Sequence, residues 1–161
     1  MQNARDSFYM ALRSRLVTVN AERTILLRGV ARPGIVVEEA EAPGSVVSND
    51  IFVLRWTGAG VDAELGTVMS AAQCEIFYST CGTQSYGGLD RGRLLSAMDT
   101  ELLTILQPSQ TQKYNYSTST PVSMQTNVFW DDPVQGPEVT QRDLLSRTVT
   151  VLVYSYEEQG E

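Results

Sequence analysis

The clearest pattern of apolar and polar positions in the chain extends over residues 71–106. Residues 71–81 alternate in the way that predicts a β-strand. One side of this strand carries Ala72, Cys74, Ile76, Tyr78 and Thr80. After glycines at positions 82, 87 and 88, apolar residues recur three or four positions apart, which predicts an amphipathic helix over residues 90–106 that ends before Pro108. Strand and helix each have one apolar side, which the rest of the chain must cover.

The same patterns predict a second helix and further strands. Apolar residues at helical spacing predict a helix over residues 3–19. Short apolar or alternating runs predict strands over residues 24–30, 35–39, 50–57, 126–130 and 147–157. The strand over 50–57 is expected to pair with the strand over 71–81 as an antiparallel hairpin.

In the last strand, valines at positions 149, 151 and 153 suit a core packed against helices. The opposite side carries Thr148, Thr150, Leu152, Tyr154 and Tyr156 and suits partial exposure or a protein contact.

The connecting segments are less regular. Residues 29–49 are predicted as either a hairpin or a projecting arm, with Pro43 and Gly44 as a turn signal. Residues 109–125 are predicted as a long polar loop, although Tyr114 and Tyr116 alternate and leave room for a strand edge. A loop of this length is usually functional or ordered by a partner. Residues 143–146 are expected to form a single turn.

These elements predict one α+β domain over residues 1–161. Strands that follow one another in sequence usually pair antiparallel, and each helix needs a sheet face to cover. The expected architecture is a two-layer domain, in which two helices pack on one face of a mainly antiparallel sheet of four to six strands. The bare sheet face and the loops are natural places for self-association.

The amino-acid composition limits the kinds of catalysis and ligand binding that the chain can support. The chain has 161 residues, a net charge of −7 and no histidine, so histidine-based catalysis and histidine metal ligation are excluded. The negative charge disfavours sequence-independent binding to the outside of nucleic acid. Cys74 and Cys81 match no metal-ligand spacing, and reduced thiols are expected rather than a disulfide. Glycines 58 and 60 lack the spacing of a phosphate-binding loop, and no cofactor is predicted.

The N-terminal segment has no uninterrupted apolar core and no small-residue cleavage site, so it is predicted to be an amphipathic helix rather than a signal peptide. No apolar run approaches the ~20 residues of a membrane helix. Synthesis in the cytoplasm, with no membrane partner, is the expectation.

An enzyme would have to rely on carboxylates. The candidates are Asp99, Glu101, Asp131, Asp132 and the acidic cluster Glu38, Glu39 and Glu41. Divalent metals or acid–base chemistry could use such groups. Their spacing is not specific, and Asp99 and Glu101 do not share a helix face. The sequence therefore favours a protein that is not an enzyme and holds no metal.

The order of elements resembles a known family. An amphipathic N-terminal helix (ARDSFYMALRSRL) leads into a strand-rich middle, a glycine turn leads into a second helix (LDRGRLLSAMDTELLTIL), and an Arg-Thr-Val-Thr-Val strand comes near the end. This order is similar to that of the tail terminator, or tail completion, proteins of long-tailed bacteriophages. The resemblance rests on element order and length, and it includes no catalytic or ligand motif.

The resemblance implies a structural virion protein of the phage neck. Such proteins form a hexameric ring that caps the tail tube, ends its polymerisation and joins the tail to the head. The implied partners are other copies of the chain, the tail tube protein and the head–tail connector protein, while DNA passes through the lumen without specific binding. A connector or stopper protein of the same neck, or a cellular α+β binding module, remains as an alternative.

A closed ring needs two different contact patches on each subunit. We place them in residues 29–49 and residues 126–133. Phe129, Trp130 and Asp131 are the expected contacts in the second patch, with Arg32 and Glu38 in the first. The motivation is the pair of large aromatic residues beside two aspartates, because aromatic anchors dominate interface energies. The alternative for Trp130 is that it packs in the core of its own chain.

Overall fold

The computed structural model describes residues 1–40, 48–62 and 68–158. These residues form two α-helices, α1 (Gln2–Val19) and α2 (Arg91–Ile105), and both predicted helices are confirmed. The strands, in chain order, are β1 (Thr24–Leu27), β2 (Val30–Pro33), β3 (Ile35–Val37), β4 (Phe52–Asp62), β5 (Met69–Thr80), β6 (Ser109–Asn115), β7 (Val122–Trp130), β8 (Val134–Gln135), β9 (Val139–Gln141) and β10 (Leu144–Tyr156).

Eight of these strands form one sheet, with the main order β3-β4-β5-β10-β7-β6. The predicted antiparallel pairing of β4 with β5 is confirmed. β10 is antiparallel to β5 over its length, from Leu145 opposite Thr80 to Tyr156 opposite Met69. The other edge of β10 pairs in succession with β9, β8 and β7. Only the pairing of β3 with β4 is parallel among the strands described.

Helices and sheet share one hydrophobic core. The alternation predicted for β5 and β10 is confirmed, since Cys74, Ile76, Val149 and Val151 are buried in that core. α1 contributes Phe8, Leu12 and Leu16, and α2 contributes Leu95, Met98 and Leu102. α1 lies against β6, β7 and β10, while α2 lies against β5 and β10. The fold is therefore mixed α+β, as expected, but its sheet has more strands than the predicted four to six.

The prediction of a long loop over residues 109–125 is wrong. β6 and β7 form an antiparallel hairpin here, with Ser109 opposite Trp130 and Asn115 opposite Val122. The polar composition concealed β6 because its buried side chain is a lysine. Lys113 is fully buried, and its Nζ donates a hydrogen bond to the carbonyl oxygen of Tyr156 at 2.6 Å.

Two further predictions need correction. The strand predicted over residues 24–30 ends at Leu27, where Arg28 and Gly29 turn the chain back into β2. Both turn residues have positive φ, 50° and 79°, as in the tight turns that suit hairpins. Of the turn predicted over residues 143–146, only Asp143 lies in a turn and the other three residues are strand, because the chain already reverses at Arg142, which has φ 56°.

The segment predicted as a hairpin or projecting arm divides into several parts. Its first residues complete the β1–β2 hairpin, which is a separate two-stranded sheet. Residues 35–37 join the main sheet as β3. The remainder includes Glu41, Pro43 and Gly44, which lie outside the described residues.

Of the helices described, neither is long and apolar enough to cross a membrane.

Candidate functional site

The sheet has an outer face that points away from the helices. Strand alternation places every second side chain there, and these side chains are partly or fully exposed along the C-terminal half of β10. Leu152 is 40% exposed and Tyr156 is 42% exposed. The outer aromatic surface, as we name it, consists of Phe129, Asp131, Leu152, Tyr154 and Tyr156.

The aromatic side chains of this surface are ordered by mutual contacts. Phe129 lies opposite Tyr154 in the β7–β10 pair, and their rings stack with centroids 5.4 Å apart and planes 17° apart. The ring centroid of Tyr156 lies 6.3 Å from that of Phe129. The Tyr154 hydroxyl donates a hydrogen bond to Asp131 at 2.8 Å, and this bond raises the pKa of Tyr154. Asp131 therefore belongs to this surface.

Trp130 points the opposite way. It is 3% exposed, and its indole Nε1 donates to the carbonyl oxygen of Leu106 at 3.2 Å. Phe8 packs edge-on against it at 5.1 Å, and the guanidinium carbon of Arg15 lies 4.9 Å from its ring centroid. A side chain with so little exposure has no surface to offer, so Trp130 has the core position given above as the alternative to a contact residue.

The second exposed feature is the β1–β2 hairpin. Leu26 and Val30 are 71% and 56% exposed, although large aliphatic residues are usually buried. Among the described residues, β1 and β2 pair only with each other. The hairpin therefore presents apolar side chains and strand edges together.

The base of this hairpin is firmly held. Arg23 makes a bidentate contact with Glu101 of α2, at 2.5 Å and 3.0 Å, and donates to the carbonyl oxygen of Asp50 at 2.6 Å. Asn20 donates to the same glutamate at 2.9 Å. A Cβ on Gly34 would lie 2.9 Å from the Arg23 side chain, so the chain passes too close here for a larger residue. The hairpin is thus fixed to the body while its tip is exposed.

The five residues predicted as contacts are not brought together at one place. Phe129 and Asp131 lie on the outer aromatic surface, whereas Arg32 lies on the hairpin and is partly exposed. Glu38 follows β3 and pairs with Arg55 of β4. The hydrogen bond from Arg55 lowers the pKa of Glu38.

Strand register gives the separation of the two surfaces. The hairpin base lies near Ser79, whose carbonyl oxygen accepts from the Asp50 amide, while Tyr154 lies opposite Ala71 on the same strand. At a rise of ~3.3 Å per residue this is about 26 Å along β5.

The hairpin and the outer aromatic surface also differ in the charge of the residues around them. Residues 24–37, which include the hairpin, contain Arg28 and Arg32 and no acidic residue. Residues 114–141 contain Asp131, Asp132 and Glu138 and no basic residue. The hairpin is therefore apolar and basic, whereas the part of the outer aromatic surface formed by Phe129 and Asp131 lies in an acidic stretch.

Asp99, one of the carboxylates considered for catalysis, is engaged in structural contacts. Asp99 accepts a hydrogen bond from the buried Tyr78 hydroxyl, and Arg147 Nε lies 3.1 Å from the same carboxylate. In the described residues no three of Cys, Asp or Glu are grouped as a metal site would require. Cys74 and Cys81 are both free, the first buried and the second exposed.

Sequence reasoning identified the outer side of β10 and the residues around Phe129, but it missed Leu26 and Val30. Their exposure depends on the Arg28–Gly29 turn, which carries only a single glycine as a signal.

Comparison with protein-family models gives no match, and comparison with curated proteins gives none either.

Proposed function

We propose that this chain is a structural protein of the neck of a long-tailed bacteriophage. In this proposal it forms a ring, a hexamer by the family resemblance, that caps the tail tube, ends tube polymerisation and joins the tail to the head. The two helices cover one face of the sheet as a layer, and the other face makes contacts. The mature protein would be part of the virion, after synthesis in the host cytoplasm.

The outer aromatic surface is the observation that carries the proposal. Exposed aromatic residues held in a fixed arrangement are typical of a protein contact, because they bury much area at little cost in side-chain entropy. The hairpin adds a second, different patch, and two different patches are what a closed ring requires. The net charge of −7 suits a lumen through which DNA passes without binding.

The direct test is binding to tail tubes. Tubes assembled from a purified tail tube protein would be sedimented with the purified chain, and electron microscopy would locate the chain on them. The proposal expects a ring at one end of each tube and an arrest of tube growth. Binding along the whole tube, or no binding, would contradict it.

A matched variant makes the test specific to the surface. Phe129→Ala and Tyr156→Ala should each abolish capping while the fold is retained, whereas Leu89→Ala, at an exposed site outside both surfaces, should not. If the chain binds a purified head–tail connector but not tubes, the function would be that of a connector or stopper protein instead.

A further inference from the structure

We propose that the β1–β2 hairpin of one copy docks on the outer aromatic surface of a second copy of this chain. This inference deepens the proposed function, since it specifies the contact by which the subunits associate. The occupant of the surface is thus a second copy, and the inserted element is the Thr24–Pro33 hairpin.

Charge complementarity favours this occupant. The hairpin carries Arg28 and Arg32 with no acidic residue, and residues 114–141, which supply Phe129 and Asp131 of the surface, carry three acidic residues and no basic one. Opposite potentials of this kind guide two surfaces together and disfavour pairing of like with like. Two hairpins would repel each other, and so would two acidic surfaces.

The apolar parts match as well. Leu26 and Val30 lie near the hairpin tip, exposed, while Leu152 and Tyr156 are exposed on the outer aromatic surface. Burying these residues against one another would remove apolar area from water on both partners. The hairpin also has strand edges, which proteins normally protect against unintended pairing.

The hairpin base is held away from the outer aromatic surface of its own chain. It lies near Ser79, about 26 Å along β5 from the residue opposite Tyr154, and Arg23 and Glu101 hold it to α2. A contact between different surfaces on identical copies is heterologous, so it leaves an unused hairpin and an unused surface at the two ends of a dimer. Such contacts form a ring where the rotation between copies closes, and a filament where it does not.

Cross-linking of two distinguishable copies tests the contact. One copy carries Leu26→Cys and the other, isotopically labelled, carries Leu152→Cys, both with Cys81→Ser to remove the exposed thiol; Cys74 is buried. A short bis-maleimide is added and intact masses are measured. The proposal expects the mixed product to exceed each product of two identical copies by about tenfold. A mixed product no more abundant than that from Leu26→Cys with Leu89→Cys would overturn it.

Charge variants test the reason for the contact. Arg28 occupies a positive-φ turn position, and Asn and Asp both tolerate that conformation better than arginine. Arg28→Asn and Arg28→Asp therefore keep the turn while removing or reversing the charge. Cross-linking should fall moderately for Asn and about tenfold for Asp, and Asp131→Arg on the other copy should restore the yield with Arg28→Asp. Equal yields for Arg28, Asn and Asp would contradict the assignment.

The outcomes of these experiments distinguish a failure of the proposed contact from a failure of the proposed function. Specific mixed cross-linking without tube capping would keep the contact and reject the phage role. Tube capping without the mixed product would keep the phage role and reject this contact.

Discussion

Trp130 is the residue whose two interpretations lead to the most different measurements. Its ring packs against Phe8 and Arg15 in the core, and its N–H bonds to Leu106. Trp130→Ala should lower the free energy of unfolding by about 3–5 kcal/mol, as expected for removal of a buried aromatic side chain. Urea unfolding of the monomer measures it. A loss below about 1 kcal/mol would show that the indole is not part of a packed core.

Phe129 is the matched control, one residue away on the opposite side of the same strand. Phe129→Ala removes the stacking on Tyr154 but leaves the core intact, so its cost in unfolding free energy should be about 1 kcal/mol. Its effect on cross-linking should instead be large. If both variants destabilised the fold equally, the inside and outside of β7 would have been assigned wrongly.

The buried environment of Tyr78 predicts a specific loss of stability in alkali. Burial and the hydrogen bond to Asp99 raise the pKa of Tyr78 well above its usual range. The neutral phenol is the form that the fold favours, so this contribution is complete below the unfolded pKa near ~10 and is lost as pH rises towards the folded pKa. Between pH ~10 and ~11, the wild-type chain should lose about 1 kcal/mol more unfolding free energy than Tyr78→Phe.

Urea titrations at the two pH values measure this difference. Cys74, whose pKa burial also raises, is common to both proteins and cancels in the comparison. Tyr86→Phe is the control, because the Tyr86 side chain is 66% exposed. A Tyr78→Phe variant with the same alkaline loss as the wild type would contradict the assignment.

Single side chains show what alternation can and cannot predict. Adjacent positions in a strand must face opposite sides, so Phe129 and Trp130 cannot both be exposed anchors. Alternation does not say which of them faces the core, because both are large and aromatic. Lys113 shows the opposite limit: a lysine in a polar segment gives no sign of burial, since its position depends on a carbonyl acceptor in β10.

At the scale of elements, the well-predicted parts are those that bury one side. α1, α2, β5 and β10 each carry a regular apolar pattern because one side of each faces the core. β6 is an edge strand of mostly polar residues and has no such pattern. The hairpin likewise lacks a buried side, and its turn uses Arg28 where an asparagine or aspartate would have been a stronger signal.

The short strand β8 depends on a close approach between backbones. Gly136 donates to the carbonyl oxygen of Thr148 at 2.8 Å, and a Cβ at this position would lie 2.8 Å from the same oxygen. Because backbone atoms cannot move aside easily, Gly136→Ala should cost about 1–3 kcal/mol of unfolding free energy. Gly60→Ala in β4 is the control, since a Cβ there meets nothing within 4 Å. Equal costs for the two variants would contradict this account.

At the scale of the whole molecule, the fold separates two kinds of surface. The helices pack against β5, β6, β7 and β10, while the outer aromatic surface and the hairpin each carry exposed apolar side chains. Acidic residues accompany the first and basic residues the second. The resemblance to tail terminator proteins predicts a ring, but element order alone does not say which residues meet. The structure limits the candidate contact residues further, because it removes Trp130 from the surface and adds Leu26 and Val30.

The charge difference between hairpin and outer surface predicts how association depends on salt. Pairs of exposed charges are screened at high ionic strength, where the Debye length falls from about 10 Å at 0.1 M to about 3 Å at 1 M. Sedimentation across this range should show association weakening as salt increases, and less steeply for Arg28→Asn, which lacks one of the charges. Asp132→Asn tests the acidic side in the same way. Association that strengthens with salt in all three proteins would mean that apolar burial alone holds the copies together, and the charge argument would then be wrong.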